Sequence, residues 1–91
     1  MLGLTTTENA QKLSDEEVLV RSNKEPWLFA VLLDRYQDAF LRKTLTILRR
    51  KEDAEEVVQD TFSKIYKNSH KFEIRDDASF KAWAYKILLN T

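Results

Sequence analysis

The segment EDAEEVVQDTF, residues 52–62, separates acidic from apolar side chains in a pattern that fits one kind of secondary structure. At about 100° per residue, a helix collects the acids on one side and most of the apolar residues on the other. One side comprises Ala54, Val57, Val58, Thr61, Phe62 and Ile65, and the opposite side comprises Glu52, Glu56, Gln59, Asp60 and Ser63. The spacing therefore predicts an amphipathic helix at about 53–67, buried along one side.

The acidic side of this helix has two interpretations. The helix macrodipole favours carboxylates in a first turn, which accounts for Glu52, Asp53 and Glu55. It accounts poorly for Asp60, which lies two turns into the helix and has only Lys64 as a basic neighbour at helical spacing. Helix physics alone slightly favours a solvated face over a docking surface for a basic partner.

The rest of the chain predicts an all-α fold, a compact bundle of three to four helices. The predicted helices span about 14–23, 26–50, 53–67 and 78–90, with an irregular loop at 68–77. A capping box at Ser14 and Glu17 begins the first helix, Pro26 suits the first turn of the second, and Asp77 can cap the last.

The long second helix carries two apolar stripes, so we expect its later half to be covered on two sides. The stripes are Phe29, Leu32, Leu33, Tyr36, Phe40 and Ile47, and Leu41, Leu45 and Leu48. Residues 1–12 are polar and without periodicity, which predicts a flexible N-terminal arm ahead of one folded domain at 13–91.

Composition excludes several classes of protein. The 91 residues carry 15 basic and 15 acidic side chains, so net charge alone predicts no polyanion partner. The absence of cysteine excludes disulfides and cysteine-ligated zinc. With Gly3 the only glycine, neither a phosphate loop nor a nucleophile elbow can be built, and His70, the only histidine, makes neither a metal site nor a triad. We expect no enzyme activity, no cofactor and no metal.

The sequence also predicts a cytoplasmic protein. Its longest apolar run, at 27–33, is too short to insert across a bilayer. The N-terminus lacks the basic start and apolar stretch of an export signal.

Residues 63–91 have a basic bias and interleaved aromatic rings. The cations are Lys64, Lys67, Lys71, Arg75, Lys81 and Lys86, and the rings are Tyr66, Phe72, Phe80, Trp83 and Tyr85. Such interleaving suits single-stranded nucleic acid, because cations meet phosphates while rings stack on bases. The simpler interpretation is a set of surface lysines and core rings. Along one edge of the last helix, however, Trp83, Lys86 and Asn90 place a ring, a cation and an amide in one strip.

Five segments together resemble region 2 of an extracytoplasmic-function (ECF) sigma factor of the σ70 family. They read DEEVLVRSN at 15–23, LLDRYQDAFLRKTLTIL at 32–48, EDAEEVVQDTFSKIYKN at 52–68, KFE at 71–73 and DDASFKAWAYKILLNT at 76–91. The resemblance runs from about Ser14 to Thr91 and implies a sigma region 2 domain, which has no catalysis of its own.

The resemblance also implies a protein partner for the acidic helix. In the family, the corresponding helix docks on the clamp helices of the β′ subunit of bacterial RNA polymerase. Residue by residue, this assigns Glu56, Gln59 and Asp60 to the polymerase interface, with Glu52 and Asp53 as peripheral charges. An anti-sigma factor, which often covers these surfaces in the family, is a further expected partner.

The loop and the last helix are implied to bind DNA. In the family they recognise the −10 promoter element and hold its non-template strand, with one base turned out of the stack into a pocket formed by the loop. The implied DNA-binding residues are Lys67, Asn68, Ser69, His70, Lys71, Phe72 and Arg75 in the loop, and Trp83, Lys86 and Asn90 on the helix.

The chain departs from the family pattern at three places. The junction between the second and third helices, RRKED at 49–53, lacks the usual glycine. Where family members commonly read FRGDASF, this chain reads FEIRDDASF at 72–80, so its loop is longer, lacks the glycine and has an acid after Phe72. The domain that reads the −35 element in a whole ECF sigma factor is absent after Thr91, so we expect a domain fragment.

Two other functions remain open from the sequence. A small helical interaction module, such as an anti-sigma-like adaptor without DNA binding, would equally explain the acidic helix but not the basic aromatic segment. A duplex-reading helix-turn-helix protein is disfavoured, because the last helix follows a long loop and is mostly apolar.

Overall fold

The computed structural model describes residues 6–91, and within this range it contains helices, turns and loops but no strand. This confirms the predicted all-α class. The α-helices are α1 (Thr7–Ala10), α2 (Asp15–Arg21), α3 (Phe29–Leu48), α4 (Lys51–Lys67) and α5 (Phe80–Leu89), with 3-10 turns at Pro26–Leu28 and Ser69–Lys71. No helix in the described part of the chain is both long and apolar enough to cross a membrane.

The first segment differs from the predicted flexible arm. Thr6 caps α1 by accepting a hydrogen bond from the Asn9 backbone N–H at 3.1 Å, and Ala10 is fully buried in the core. A four-residue helix is too short to show periodicity, and the small Ala10 side chain carries no signal of its burial. The arm prediction is therefore wrong for Thr7–Ala10, while residues 1–5 lie outside the described part.

The capping box predicted at the start of α2 is confirmed. The Ser14 hydroxyl accepts from the Glu17 backbone N–H at 3.1 Å, and the Glu17 carboxylate accepts from the Ser14 backbone N–H at 3.2 Å. These hydrogen bonds, the backbone one above all, favour the ionised acid and lower the pKa of Glu17.

Arg35 and Tyr36 of α3 hold the start of α2. The Arg35 guanidinium donates to the Asp15 carboxylate at 2.8 Å and to the Leu13 carbonyl at 3.0 Å. The Tyr36 hydroxyl donates to the other carboxylate oxygen of Asp15. Burial of the ring, and then this hydrogen bond, raise the pKa of Tyr36 above its ordinary value. The network therefore fixes α2 against α3 through groups that stay partly accessible to solvent.

Helices α3 and α4 pack side by side because only two residues separate them. Arg49 ends α3 in the left-handed region, with φ of 65°. Glycine usually occupies this position at a helix end, and a non-glycine residue there costs about 1–2 kcal/mol. The reversal is thus made without the glycine that the family pattern has at this junction.

The core is centred on Phe40, which is fully buried among aromatic rings from three helices. Its ring centroid lies 5.4 Å from that of Tyr36, 5.2 Å from Phe62 of α4 and 5.1 Å from Tyr85 of α5. Phe80 packs against Tyr36 as well, with a centroid distance of 5.3 Å. The apolar side predicted for α4 is buried here, which confirms its orientation.

The far end of α3 is less covered than the two stripes predict. Ile47 is 59% exposed and Leu48 is 40% exposed. The last turn of α5 lies beside this end of α3 together with Val57 of α4, and there Leu88 is buried while Leu89 is exposed. The expectation that two sides of the later half are covered is therefore wrong at Ile47 and Leu48.

Helix α5 begins at Phe80 and is capped by Ser79, whose hydroxyl accepts from the Ala82 backbone N–H at 3.3 Å. The prediction of Asp77 as the cap is wrong. Asp77 instead lies 3.6 Å from the Arg75 guanidinium in an exposed ion pair. The serine directly before Phe80 is the residue placed to accept from the first turn.

Candidate nucleic-acid interface

The acidic face of α4, defined as Glu52, Asp53, Glu56, Gln59 and Asp60, is exposed at all five positions. Asp53 lies 3.7 Å from Arg50 in an exposed ion pair. Within residues 6–91, Glu56 and Asp60 form no ion pair, and Lys64 does not neutralise Asp60. At Glu56 and Asp60 the face therefore presents unpaired negative charge to any neighbour.

An apolar groove runs between α3 and α4 beside the acidic face. It has a volume of about 480 Å³ and shares Gln59 with that face. Its lining residues are Pro26, Phe29, Leu33, Gln37, Val58, Gln59, Phe62, Ser63 and Tyr66. An apolar groove bordered by unpaired acids suits a basic helical partner that contributes an apolar side chain.

A loop cavity of about 300 Å³ lies between the loop and α5. It is lined by Lys71, Phe72, Glu73, Arg75, Ala78, Ser79 and Trp83. Phe72 is buried and its ring centroid lies 5.2 Å from that of Trp83. The wall of the cavity thus combines two aromatic rings with cationic and anionic side chains, a mixture that can stack on a planar ligand and hydrogen-bond its edge.

A second cavity, the helix cavity, lies on the other side of Trp83 between α4 and α5. It has a volume of about 360 Å³ and is lined by Lys64, Asn68, Trp83, Lys86, Ile87 and Asn90. Two cations, two amides and an indole ring therefore line the same cavity. Lys64 was not predicted as a site residue, although its spacing of four residues from Asn68 could have shown that the two share a helix face.

The structure brings seven of the ten predicted DNA-binding residues to the two cavities. Lys71, Phe72 and Arg75 line the loop cavity, Asn68, Lys86 and Asn90 line the helix cavity, and Trp83 lines both. Lys67 and His70 are exposed but line neither cavity. Ser69 is buried, so its hydroxyl is not available to a strand.

The buried Ser69 instead anchors the start of the loop. Its hydroxyl oxygen lies 2.9 Å from the side-chain oxygen of Asn23 and 2.8 Å from the Tyr66 carbonyl oxygen, so its proton can be donated to either. Asn23 lies two residues after the end of α2. The loop is therefore tied to the α2 end of the domain at its first turn.

Glu16 of α2 anchors the other end of the loop. Its carboxylate accepts a hydrogen bond from the Phe80 backbone N–H at 2.6 Å, which places a negative charge at the N-terminus of α5. No sequence pattern predicts this contact. Glu16 lies in the first turn of α2, next to the capping box, where an acidic residue is expected without any distant partner. With Ser69 held by Asn23, both ends of the loop that forms the cavity are fixed by the α2 region.

Replacing Glu16 with alanine should destabilise the start of α5. The Phe80 N–H would lose a charged acceptor in a partly buried position, at a cost of about 1–2 kcal/mol in the free energy of unfolding. Urea unfolding measures the change in the free energy of unfolding. Amide hydrogen exchange should speed up most at the Phe80 N–H. Glu16→Gln is the matched control, because its carbonyl can still accept. Equal losses for the two variants would contradict the assigned hydrogen bond.

Comparison with known proteins identifies the family. The profile of Sigma-70 region 2 matches residues 32–91, from early in α3 to the end of the chain. The chain is also 31% identical over 83 residues to the ECF RNA polymerase sigma-E factor of Haemophilus influenzae, a match that covers 90% of this chain and 42% of that protein. The chain therefore spans less than half the length of that relative. No solved structure matches this chain.

The family profile includes α4, the loop and α5, the elements that form the acidic face and both cavities. It covers well over half of the chain. The chain therefore belongs to the sigma-70 region 2 family, which confirms the resemblance found in its sequence.

Proposed function

We propose that this domain is the promoter-reading part of a bacterial sigma factor. It docks on the clamp helices of the RNA polymerase β′ subunit through the acidic face and captures the −10 element as a non-template single strand. The observation that carries the proposal is the pair of cavities that share Trp83. Family membership, together with the sigma-E factor as a relative, supports the same role.

Strand capture follows from the chemistry of the two cavities. Unstacking a base costs a few kcal/mol, which stacking on an aromatic ring and hydrogen bonds in a pocket can offset. Trp83 offers such a ring, while Lys64 and Lys86 lie where phosphates of the same strand can pass. Asn68 and Asn90 each carry both a donor and an acceptor for the edge of a base.

Docking on polymerase is supported by the unpaired charge of the acidic face. Glu56 and Asp60 make no ion pair within residues 6–91, so a basic partner would add attraction without displacing an existing contact. The neighbouring groove would receive an apolar residue of the same partner. An anti-sigma factor would inhibit such a domain by covering either surface.

This role requires no catalytic step and no cofactor, and it places the domain in the bacterial cytoplasm. An anti-sigma-like adaptor remains the competing function, because the acidic face and the groove would serve it equally well. The adaptor function predicts that the domain has no affinity for nucleic acid.

Binding to single-stranded DNA tests the proposal. A mixed-base oligonucleotide of about ten nucleotides should bind more tightly than its duplex, with an affinity that falls as salt rises. Replacing both Lys64 and Lys86 with alanine should weaken binding about tenfold and reduce the salt slope by about 1.4, since each phosphate contact on a single strand contributes roughly 0.7. Fluorescence anisotropy across a salt series measures both quantities.

The matched control is Lys81→Ala, because Lys81 is an exposed lysine on α5 that lines neither cavity. It should leave affinity within about twofold of the native domain, since one distant exposed charge is largely screened. Equal or tighter binding to duplex, or a loss at Lys81 as large as that of the double variant, would refute strand capture at these cavities.

A further inference from the structure

We infer that Glu73 selects the base held in the loop cavity, favouring a base with an exocyclic amine and rejecting thymine. This inference rests on the proposed function, since it requires that the cavity receives a base of the captured strand. It concerns a residue at which this chain departs from the family pattern, in the loop that reads FEIRDDASF at 72–80.

Glu73 is an uncompensated acid in the wall of the loop cavity. Within residues 6–91 it makes no ion pair and no side-chain hydrogen bond. Two cations lie two residues away in sequence: Lys71 forms no ion pair within residues 6–91, and Arg75 is paired with Asp77 at 3.6 Å. Glu73 is also neither the cap of α5, a role taken by Ser79, nor a core residue. Its carboxylate is therefore open to a ligand in the cavity.

A lone carboxylate lowers the affinity of a site for nucleic acid, because it repels the phosphates. It can raise affinity only where it accepts a hydrogen bond from the ligand. Ionised carboxylates only accept hydrogen bonds. Among the groups of a nucleic acid, the amines and ring N–H groups of the bases are the strongest donors that could meet it, since phosphates and base carbonyls only accept. The Glu73 carboxylate would therefore attract a hydrogen-bond donor on the edge of a base and repel the phosphate backbone.

The two pyrimidines present opposite groups to such an acceptor. Cytosine carries an amine at position 4, a donor that glutamate is well suited to accept, whereas thymine and uracil carry a carbonyl oxygen there. Beside the amine, cytosine offers the acceptors N3 and O2, which the cations Lys71 and Arg75 of the same cavity can meet. With uracil the position 4 oxygen would face the carboxylate, and two acceptors would repel each other. The N3–H of uracil is a weaker match than the cytosine amine, because it lies between the O2 and O4 carbonyl oxygens, which the carboxylate would also repel.

Oligonucleotides that differ only at this edge test the inference. Oligo(dC) and oligo(dU) of about ten nucleotides offer the base in every register, so the promoter sequence need not be known. The native domain should bind oligo(dC) about tenfold more tightly than oligo(dU), the factor expected for one hydrogen bond to a charged group. Glu73→Gln should bring the two affinities within about twofold, because an amide can turn to donate or accept.

Asp76→Asn is the matched control, since it removes one negative charge from the same loop at a residue outside the cavity wall. It should leave the preference for oligo(dC) unchanged. If Glu73→Gln strengthens binding to both probes equally, Glu73 acts only as a repelling charge and the inference is wrong. Equal affinities of the native domain for the two probes would also overturn it, while leaving strand capture intact. Absence of binding to either probe would refute the proposed function itself.

Discussion

Replacing Phe40 with alanine should destabilise the domain by about 3–5 kcal/mol, the cost of truncating a fully buried phenylalanine. Phe40 is 0% exposed, and its ring contacts those of Tyr36, Phe62 and Tyr85, so three helices lose a shared packing partner. A domain of this size has a total stability of roughly 5–15 kcal/mol. We therefore expect much of the native stability to be lost, with a much lower urea midpoint.

The matched control is Ile47→Ala, seven residues along the same predicted apolar stripe. Because Ile47 is 59% exposed, its truncation should change the free energy of unfolding by only about 0.5 kcal/mol. Urea titrations followed by circular dichroism at 222 nm, the usual helix signal, compare the two. Similar losses at Phe40 and Ile47 would mean that the far end of α3 is packed in solution as its sequence predicts.

Reversing two charges on the acidic face, with Glu56→Arg and Asp60→Arg together, should abolish docking on polymerase. Each substitution removes an attraction to a basic partner and adds a repulsion, so we expect binding to a purified β′ clamp-helix fragment to weaken more than about 100-fold. Calorimetric titration measures this loss. Both residues are exposed and lack ion pairs within the described range, so the helices should keep their circular dichroism.

Asp34→Arg with Asp38→Arg serves as the control, because these acids are exposed on α3 and line neither the groove nor a cavity. The same change in net charge should there weaken binding by no more than a few-fold, as for other screened surface charges. An equal loss would show that docking depends on total charge rather than on the acidic face. If the folded native domain does not bind the fragment, the adaptor function becomes the better explanation.

The candidate site could be predicted in outline because helical spacing shows which of its residues share a face. The spacing within 52–63 places the acidic residues together on α4, and the spacing within 83–90 places Trp83, Lys86 and Asn90 together on α5. The roles given to these residues came from the family resemblance. Ser69 shows the limit of this reasoning, because a small polar residue in a polar loop carries no mark of being buried.

The sequence by itself determined the helical class, the capping box at Ser14, the buried side of α4 and the family. Each of these depends on the spacing of residues within about two turns of one another, or on motifs that can be read in order. The bounds of the helices were predicted to within a few residues for the same reason. The cap of α5 was predicted wrongly, as Asp77 instead of Ser79, because both side chains can accept a hydrogen bond and the path of the loop decides which one lies at the start of the helix.

The tertiary structure alone decided how the loop is held and what its cavities contain. Glu16 and Phe80 are 64 residues apart in the chain, and Asn23 and Ser69 are 46 apart, yet these pairs fix the two ends of the loop. Trp83 became the shared wall of two cavities only when α4 and α5 packed together. Contacts of this kind depend on packing between distant segments, whose partners no periodicity within a single helix can specify.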